Sequence, residues 1–281
     1  MNISMWSSFF YEYTPEDAVN ALIDCGFSFA ELSSEHAEML LERGDAVTGG
    51  KKFADYCRKH NFSTPQGHFA LTVNLAAEDS AEGAAVVEKL KVWCDLFEAA
   101  GVRFGVLHGC TLPGQYYKLP TERTRVVAER IGELVAYCRS KNYQLTICLE
   151  NLIVNYNCMD DLEELISLTP GGENLGICLD TGHLMLAQKG GHGDFIRRAG
   201  NRLKALHITD VVGENCDHVL PFVGGQCNWD EIIAALRTVN YNGLFNYEIP
   251  RTSVNAPMVI RKHLGAYAHT LATAMAENCG K

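Results

Sequence analysis

Eight times along the chain a short apolar run is followed by a longer amphipathic segment, and this alternation constrains the fold more than any other feature. The runs are Asn2–Trp6, Phe27–Leu32, Ser63–His68, Arg103–His108, Gln144–Glu150, Leu175–Asp180, Leu203–Ile208 and Gly243–Ile249. The fifth, sixth and seventh are almost uninterrupted, as expected of strands that helices cover on both faces. The segments between them read as helices. The first opens at Thr14-Pro15-Glu16-Asp17, a hydroxyl cap, a proline at the first helical position and two acids, and it stops at Gly26. Further helices are predicted around Lys52–His60, Ser80–Ala100, Thr121–Asn142, Met159–Leu168, Phe195–Ala199, Trp229–Val239 and Ala256–Glu277. In the third of these, Val127, Ile131, Leu134 and Cys138 recur at helical spacing. Eight strand–helix units with no linker or composition break predict one closed (β/α)8 barrel over residues 1–281 rather than an open doubly wound sheet.

Composition narrows the partners. A formal net charge of −10 over 281 residues opposes a polyanion, so no nucleic-acid partner is expected. The eleven cysteines include no C-x-x-C pair, and Cys148 and Cys178 lie within apolar runs, where they read as small buried hydrophobes of a reduced, cytoplasmic protein. No signal peptide and no apolar stretch of membrane-spanning length is read, so no membrane partner is expected.

Chemistry enters through the ends of the strands. Active sites of such barrels lie at the carboxyl ends of the strands. Here run three ends in Gly67-His68, run four in Leu107-His108, run five in Leu149-Glu150-Asn151 and run six in Leu179-Asp180-Thr181-Gly182-His183. Run seven carries His207 and Asp210, and run eight ends in Tyr247-Glu248. One ionisable residue after a strand is an ordinary cap or surface group; six on successive strands converge on one bowl. Glu150 and Glu248 close strongly apolar strands, where an unpaired carboxylate is costly and a divalent cation would offset that cost. Mixed carboxylate and imidazole donors suit Mn, Co, Zn, Fe or Mg without selecting one. Trp6 and Glu31, ending runs one and two, read equally as pocket lining and as barrel-top packing. His36, His60, His192, His263 and His269 read as surface or packing residues.

The order His68, His108, Glu150, Asp180-x-x-His183, His207, His218 and Glu248 resembles the xylose isomerase-like TIM barrel superfamily over essentially the whole chain. Its most specific pieces are Leu149-Glu150-Asn151, Leu179-Asp180-Thr181-Gly182-His183 and His207-Ile208-Thr209-Asp210, with Asp217-His218 and Pro221-Phe222-x-Gly224-Gly225 ahead of Trp229. The superfamily holds sugar and sugar-phosphate isomerases and epimerases, inosose dehydratases and apurinic endonucleases. The resemblance implies one divalent metal ion on Glu150, Asp180, His207 and Glu248, with Glu150 and Glu248 as the acid–base pair. It implies a substrate contact at His183. His68, His108, His183 and His218 resemble part of the larger ligand set of the endonuclease branch, and the expected substrate pocket includes His68, His108 and His218 with Glu31 and Trp6 as candidate lining. The endonuclease branch holds a three-zinc cluster, from which this chain departs in its adjacent Asp217-His218 and in Gly109-Cys110 after His108. The expectation is therefore a metal-dependent sugar or sugar-phosphate isomerase or epimerase acting on a small carbohydrate, in a family that often forms homo-oligomers. An inosose-type dehydratase is the nearest alternative, ahead of an endonuclease or a non-catalytic sugar-binding barrel. Gly224-Gly225 and Arg251 are the candidates for holding a substrate phosphate.

Overall fold

A computed structural model of the chain describes residues 1–110, 119–214, 218–249 and 256–280. Its strands are β1 (Asn2–Trp6), β2 (Phe29–Leu32), β3 (Ser63–His68), β4 (Phe104–Leu107), β5 (Thr146–Glu150), β6 (Gly176–Asp180), β7 (Leu203–His207) and β8 (Leu244–Tyr247). All pair in parallel in the order β7-β6-β5-β4-β3-β2-β1-β8. The ring closes where the Ile208 amide donates to the Asn246 carbonyl at 2.7 Å and the Glu248 amide donates to the Ile208 carbonyl at 3.3 Å. The fold is the predicted (β/α)8 barrel.

The helices are α1 (Pro15–Asp24), α2 (Ser34–Leu41), α3 (Ala46–Lys59), α4 (Ser80–Ala100), α5 (Thr121–Ser140), α6 (Met159–Leu168), α7 (Thr181–Gln188), α8 (His192–Ala199), α9 (Trp229–Thr238) and α10 (Met258–Asn278). The Thr14 hydroxyl caps α1 as expected, accepting from the Asp17 amide. Two helices were not read from the sequence. The α2 helix starts at Ser33, whose hydroxyl accepts from the His36 amide. The α7 helix starts directly at the end of β6, so Thr181-Gly182-His183 forms its first turn. Helix α3 begins at an Asp45 cap, ahead of the expected Lys52, and α8 begins at His192, ahead of Phe195.

Strand residues alternate between two environments, as the pleat demands. Residues such as Ile147, Leu149, Ile177, Leu179, Leu206, Phe245 and Tyr247 join the large apolar core between strands and helices. Their neighbours face the barrel axis. There Val106, Cys148, Cys178 and Ala205 form a separate small plug. Two positions further along the same faces come His108, Glu150, Asp180 and His207, so the plug forms the floor of the polar bowl. The ten described cysteines are all free, and Cys148 and Cys178 are fully buried, which matches their reading as small hydrophobes. No helix among the described residues is long and apolar enough to cross a membrane.

Candidate metal centre

Each strand brings its last axis-facing side chain to the same bowl. From β1 to β8 these are Trp6, Glu31, His68, His108, Glu150, Asp180, His207 and Glu248, His108 and Glu248 lying one residue past their strands. The donors are crowded. Glu150 Oε2 lies 3.1 Å from His108 Nε2 and 3.4 Å from His68 Nε2, and its Oε1 lies 3.2 Å from His183 Nδ1 and 3.3 Å from His207 Nδ1. Glu248 Oε2 is 3.1 Å from His207 Nδ1 and 3.7 Å from His218 Nε2. Asp180 Oδ2 is 3.8 Å from His183 Nδ1 and 3.9 Å from His218 Nε2.

One donor atom from each of Glu150, Asp180, His207 and Glu248 lies within 4.8 Å of the others. Among the buried atoms with no well-aligned hydrogen bond are Glu150 Oε1, Asp180 Oδ2 and His207 Nδ1. These atoms are close to polar neighbours and to one another, yet the contacts lack hydrogen-bond alignment. A buried carboxylate and imidazole left in that state are costly, and a divalent cation would satisfy all of them together. Two further groups, His68–Glu150–His207 and Asp180–His183–His218, meet the same distance limit.

The charges respond to this crowding. Burial works against the Glu150 carboxylate, but His207 and His108 outweigh it and hold its pKa well below the usual range. Glu248 is likewise lowered, burial being outweighed chiefly by His207. Asp180 goes the other way: burial raises it more than His183 and His218 lower it. Burial lowers His207, yet the Cys178 sulfur and the carboxylates of Glu248, Glu31 and Glu150 lift it well above the ordinary imidazole value. His108 is lowered by burial, whereas Glu150 lifts His68 in spite of burial.

The motif Asp180-Thr181-Gly182-His183 now has a physical reading. Asp180 Oδ1 caps α7, accepting from the His183 amide at 2.6 Å, which leaves Oδ2 for the centre. The Thr181 hydroxyl donates to the Thr209 carbonyl at 2.6 Å and accepts from the Thr209 amide at 3.0 Å, stitching β6 to β7. A Cβ on Gly182 would stand 3.2 Å from the Thr209 side chain, so glycine lets α7 approach β7. His183 Nδ1 lies 3.0 Å from the Asn151 carbonyl. Asn151 itself pairs with the Asp180 backbone, accepting from its amide at 2.8 Å and donating to its carbonyl at 3.0 Å. Its role in the Leu149-Glu150-Asn151 motif is to fix the ends of β5 and β6 against each other.

Other predicted residues fall in different places. Glu31 is fully buried on the far side of the His207 ring, 3.1 Å from Nε2, rather than on an open pocket wall. Trp6 is partly buried at the end of β1. His218 joins the rim. Asp210 faces away from the bowl: Oδ1 accepts from the amides of Val211, Gln226 and Cys227, and Oδ2 accepts from the Trp229 indole at 2.8 Å. The Asp210–Val219 bridge places His218 beside this hub. A Cβ on Gly225 would strike the Asp210 carboxylate, so that glycine makes room for the hub rather than for a phosphate. Asp217 and Arg251 lie outside the described residues. His36 and His192 are buried packing residues, and His60 and His263 are exposed. His269 packs edge-on against Phe27. The sequence reading missed Asn246 and Ser4, polar residues facing inward from the middle of β8 and β1. Their mid-strand position among apolar neighbours was the available signal.

Comparison with known proteins follows the same lines. The structure superposes on D-psicose 3-epimerase from Clostridium cellulolyticum with a TM-score of 0.78 at 17% identity, covering 100% of both chains. It superposes on an L-ribulose 3-epimerase with a TM-score of 0.78 at 17% identity, covering 98% of this chain and 94% of the other. For the 3-keto-D-glucoside 4-epimerase YcjR of E. coli the TM-score is 0.74 at 14% identity, with 96% and 99% covered. At such identities the likeness is one of fold. In sequence, the protein y4fM of Sinorhizobium fredii is 30% identical over 168 residues, 58% of this chain; the match spans about half (52%) of that relative's length. The family model described as xylose isomerase-like TIM barrel matches residues 19–269, nearly the whole barrel and every strand end of the bowl from β2 to β8. By that match, the chain belongs to the xylose isomerase-like TIM barrel family.

Proposed function

We propose that the protein is a divalent-metal-dependent sugar isomerase or epimerase that moves a proton at the carbon beside a substrate carbonyl. The observation that carries this reading is the convergence of Glu150 Oε1, Asp180 Oδ2 and His207 Nδ1, buried and without aligned hydrogen bonds, with the Glu248 carboxylate. A divalent cation on these four residues would supply Lewis acidity toward a carbonyl and its neighbouring hydroxyl. Glu150 and Glu248 are the two carboxylates held ionised at the bowl, so either can remove the substrate proton, and the other delivers a proton that it has first taken up from solvent. His183, at the start of α7 beside Glu150 and Asp180, orients a substrate oxygen. His68 and His108 flank Glu150 and hold its orientation. The epimerases that share the fold support a carbohydrate substrate.

A second reading rests on the two additional donor groups, which would accommodate more than one ion. Elemental analysis of protein purified without chelator separates the two. About one divalent ion per chain, lost in Glu150→Gln, is expected. Wild-type protein should then incorporate solvent deuterium beside the carbonyl of a ketose. Two or three zinc ions would favour the multi-ion reading, and absence of binding after addition of Mn, Co, Zn, Fe or Mg would refute both.

A further inference from the structure

His207 is held from both sides. Its Nδ1 faces Glu150 and Glu248, and its Nε2 faces Glu31. Glu31 is not alone behind the ring: its Oε2 accepts from Asn246 Nδ2 at 2.5 Å, and Asn246 Oδ1 accepts from the Ser4 hydroxyl at 2.6 Å. Ser4, Glu31, Asn246 and His207 are all fully buried, and they come from β1, β2, β8 and β7.

The direction of this chain is fixed by its chemistry. An ionised carboxylate only accepts, so the Asn246 atom facing Glu31 must be its amide nitrogen, and the oxygen must face Ser4. By the same rule the His207 nitrogen facing Glu31 must carry a proton. In the neutral imidazole that leaves the lone pair on Nδ1, the atom that faces the donor group.

We infer that Glu31, held by Asn246 and Ser4, is a positioning residue that fixes the His207 tautomer and ring orientation so that Nδ1 serves as the metal donor. The inference rests on the metal reading above and assigns to Glu31 a task other than contact with substrate. Removing such a carboxylate behind a histidine ligand lowers metal affinity by about 10- to 100-fold. Asn246 and Ser4 act through Glu31, so their effects should be smaller.

The test is a titration of metal-free protein with Co(II), following its visible absorption bands, for wild type, Glu31→Gln and Asn246→Val. Thermal melts of the metal-free proteins monitor the fold. Glu31→Gln should bind Co(II) about 10- to 100-fold more weakly. Its saturated spectrum should have shifted bands, because His207 donates less charge to the ion. A purely structural role would reduce occupancy but leave the band positions of the loaded fraction unchanged. Wild-type affinity and an unshifted spectrum in folded Glu31→Gln would overturn the inference alone. Should Glu31→Gln fail to fold, Asn246→Val decides: weaker binding with shifted bands supports the inference, and unchanged binding or unshifted bands overturn it. If wild-type protein binds no Co(II), the metal reading fails and the inference with it.

Discussion

Asp180 Oδ1 holds the first turn of α7 while Oδ2 faces the donor group, so one side chain serves two purposes that substitution can separate. Asparagine is as good a helix cap as aspartate, and as a neutral group it avoids the burial penalty that raises the Asp180 pKa. Asp180→Asn should therefore leave the metal-free melting temperature unchanged or slightly higher, while metal content per chain falls at least tenfold. A parallel loss of stability would show that the cap depends on the charge. At this scale the strand-end residues were legible because six successive strands each end in one, where a single such residue would read as an ordinary cap. The Ser4–Asn246 contact was not: its partners are 242 positions apart, and no spacing in the sequence joins them. Glu31 was noticed for its position, but its facing partner is set by the stagger of barrel strands, which a linear reading does not reveal.

Helices were legible where period and cap agreed, and were lost where one contradicted the other. Ser80–Ala100 and Met159–Leu168 were read to the residue. The start of α3 was missed because Gly49-Gly50 argues against helix by propensity. Packing overrides that preference: a Cβ on Gly50 would lie 2.7 Å from the Leu96 carbonyl and 2.8 Å from Ala99 Cβ, in the seam between α3 and α4. The glycine trades helix propensity for close approach. Gly50→Ala gains about 1 kcal/mol of propensity but meets backbone that cannot give way. We expect a net loss of about 2 kcal/mol, read as a fall in Tm of roughly 4 °C; a higher Tm would mean that the two helices can separate at little cost. Helix α7 was missed for a different reason. It begins where β6 ends, with no intervening loop for a sequence reading to mark.

For the whole molecule, the strand–helix alternation was enough to predict the barrel, and the family match and the strand order agree with it. Less legible was how the early connections lock together. His36 of α2, fully buried, places Nδ1 2.8 Å from the Ser7 hydroxyl and Nε2 3.2 Å from the Tyr13 carbonyl, tying the segment after β1 to the one after β2. Burial lowers its pKa from 6.5 to about 4 despite the nearby Glu35. Between those values the unfolded chain takes up a proton that the folded chain does not. The stabilisation is thus present above pH 6.5 and lost as pH falls toward 4, by up to about 3 kcal/mol. Melts from pH 7 to 4.5 should show wild type losing more stability than His36→Gln over that interval; parallel curves would remove His36 from the acid response.

The Asp210 hub has a consequence for how its connection comes apart. Three amides and an indole N–H from residues 211, 226, 227 and 229 end on one carboxylate, with the Val219 bridge beside it. A loop tied by scattered bonds frays from its ends, each bond lost separately. Here the ties share a single anchor, so loss of the Asp210 carboxylate would remove all four at once, and the return path after His218 would lose its hold together with the rim histidine it carries.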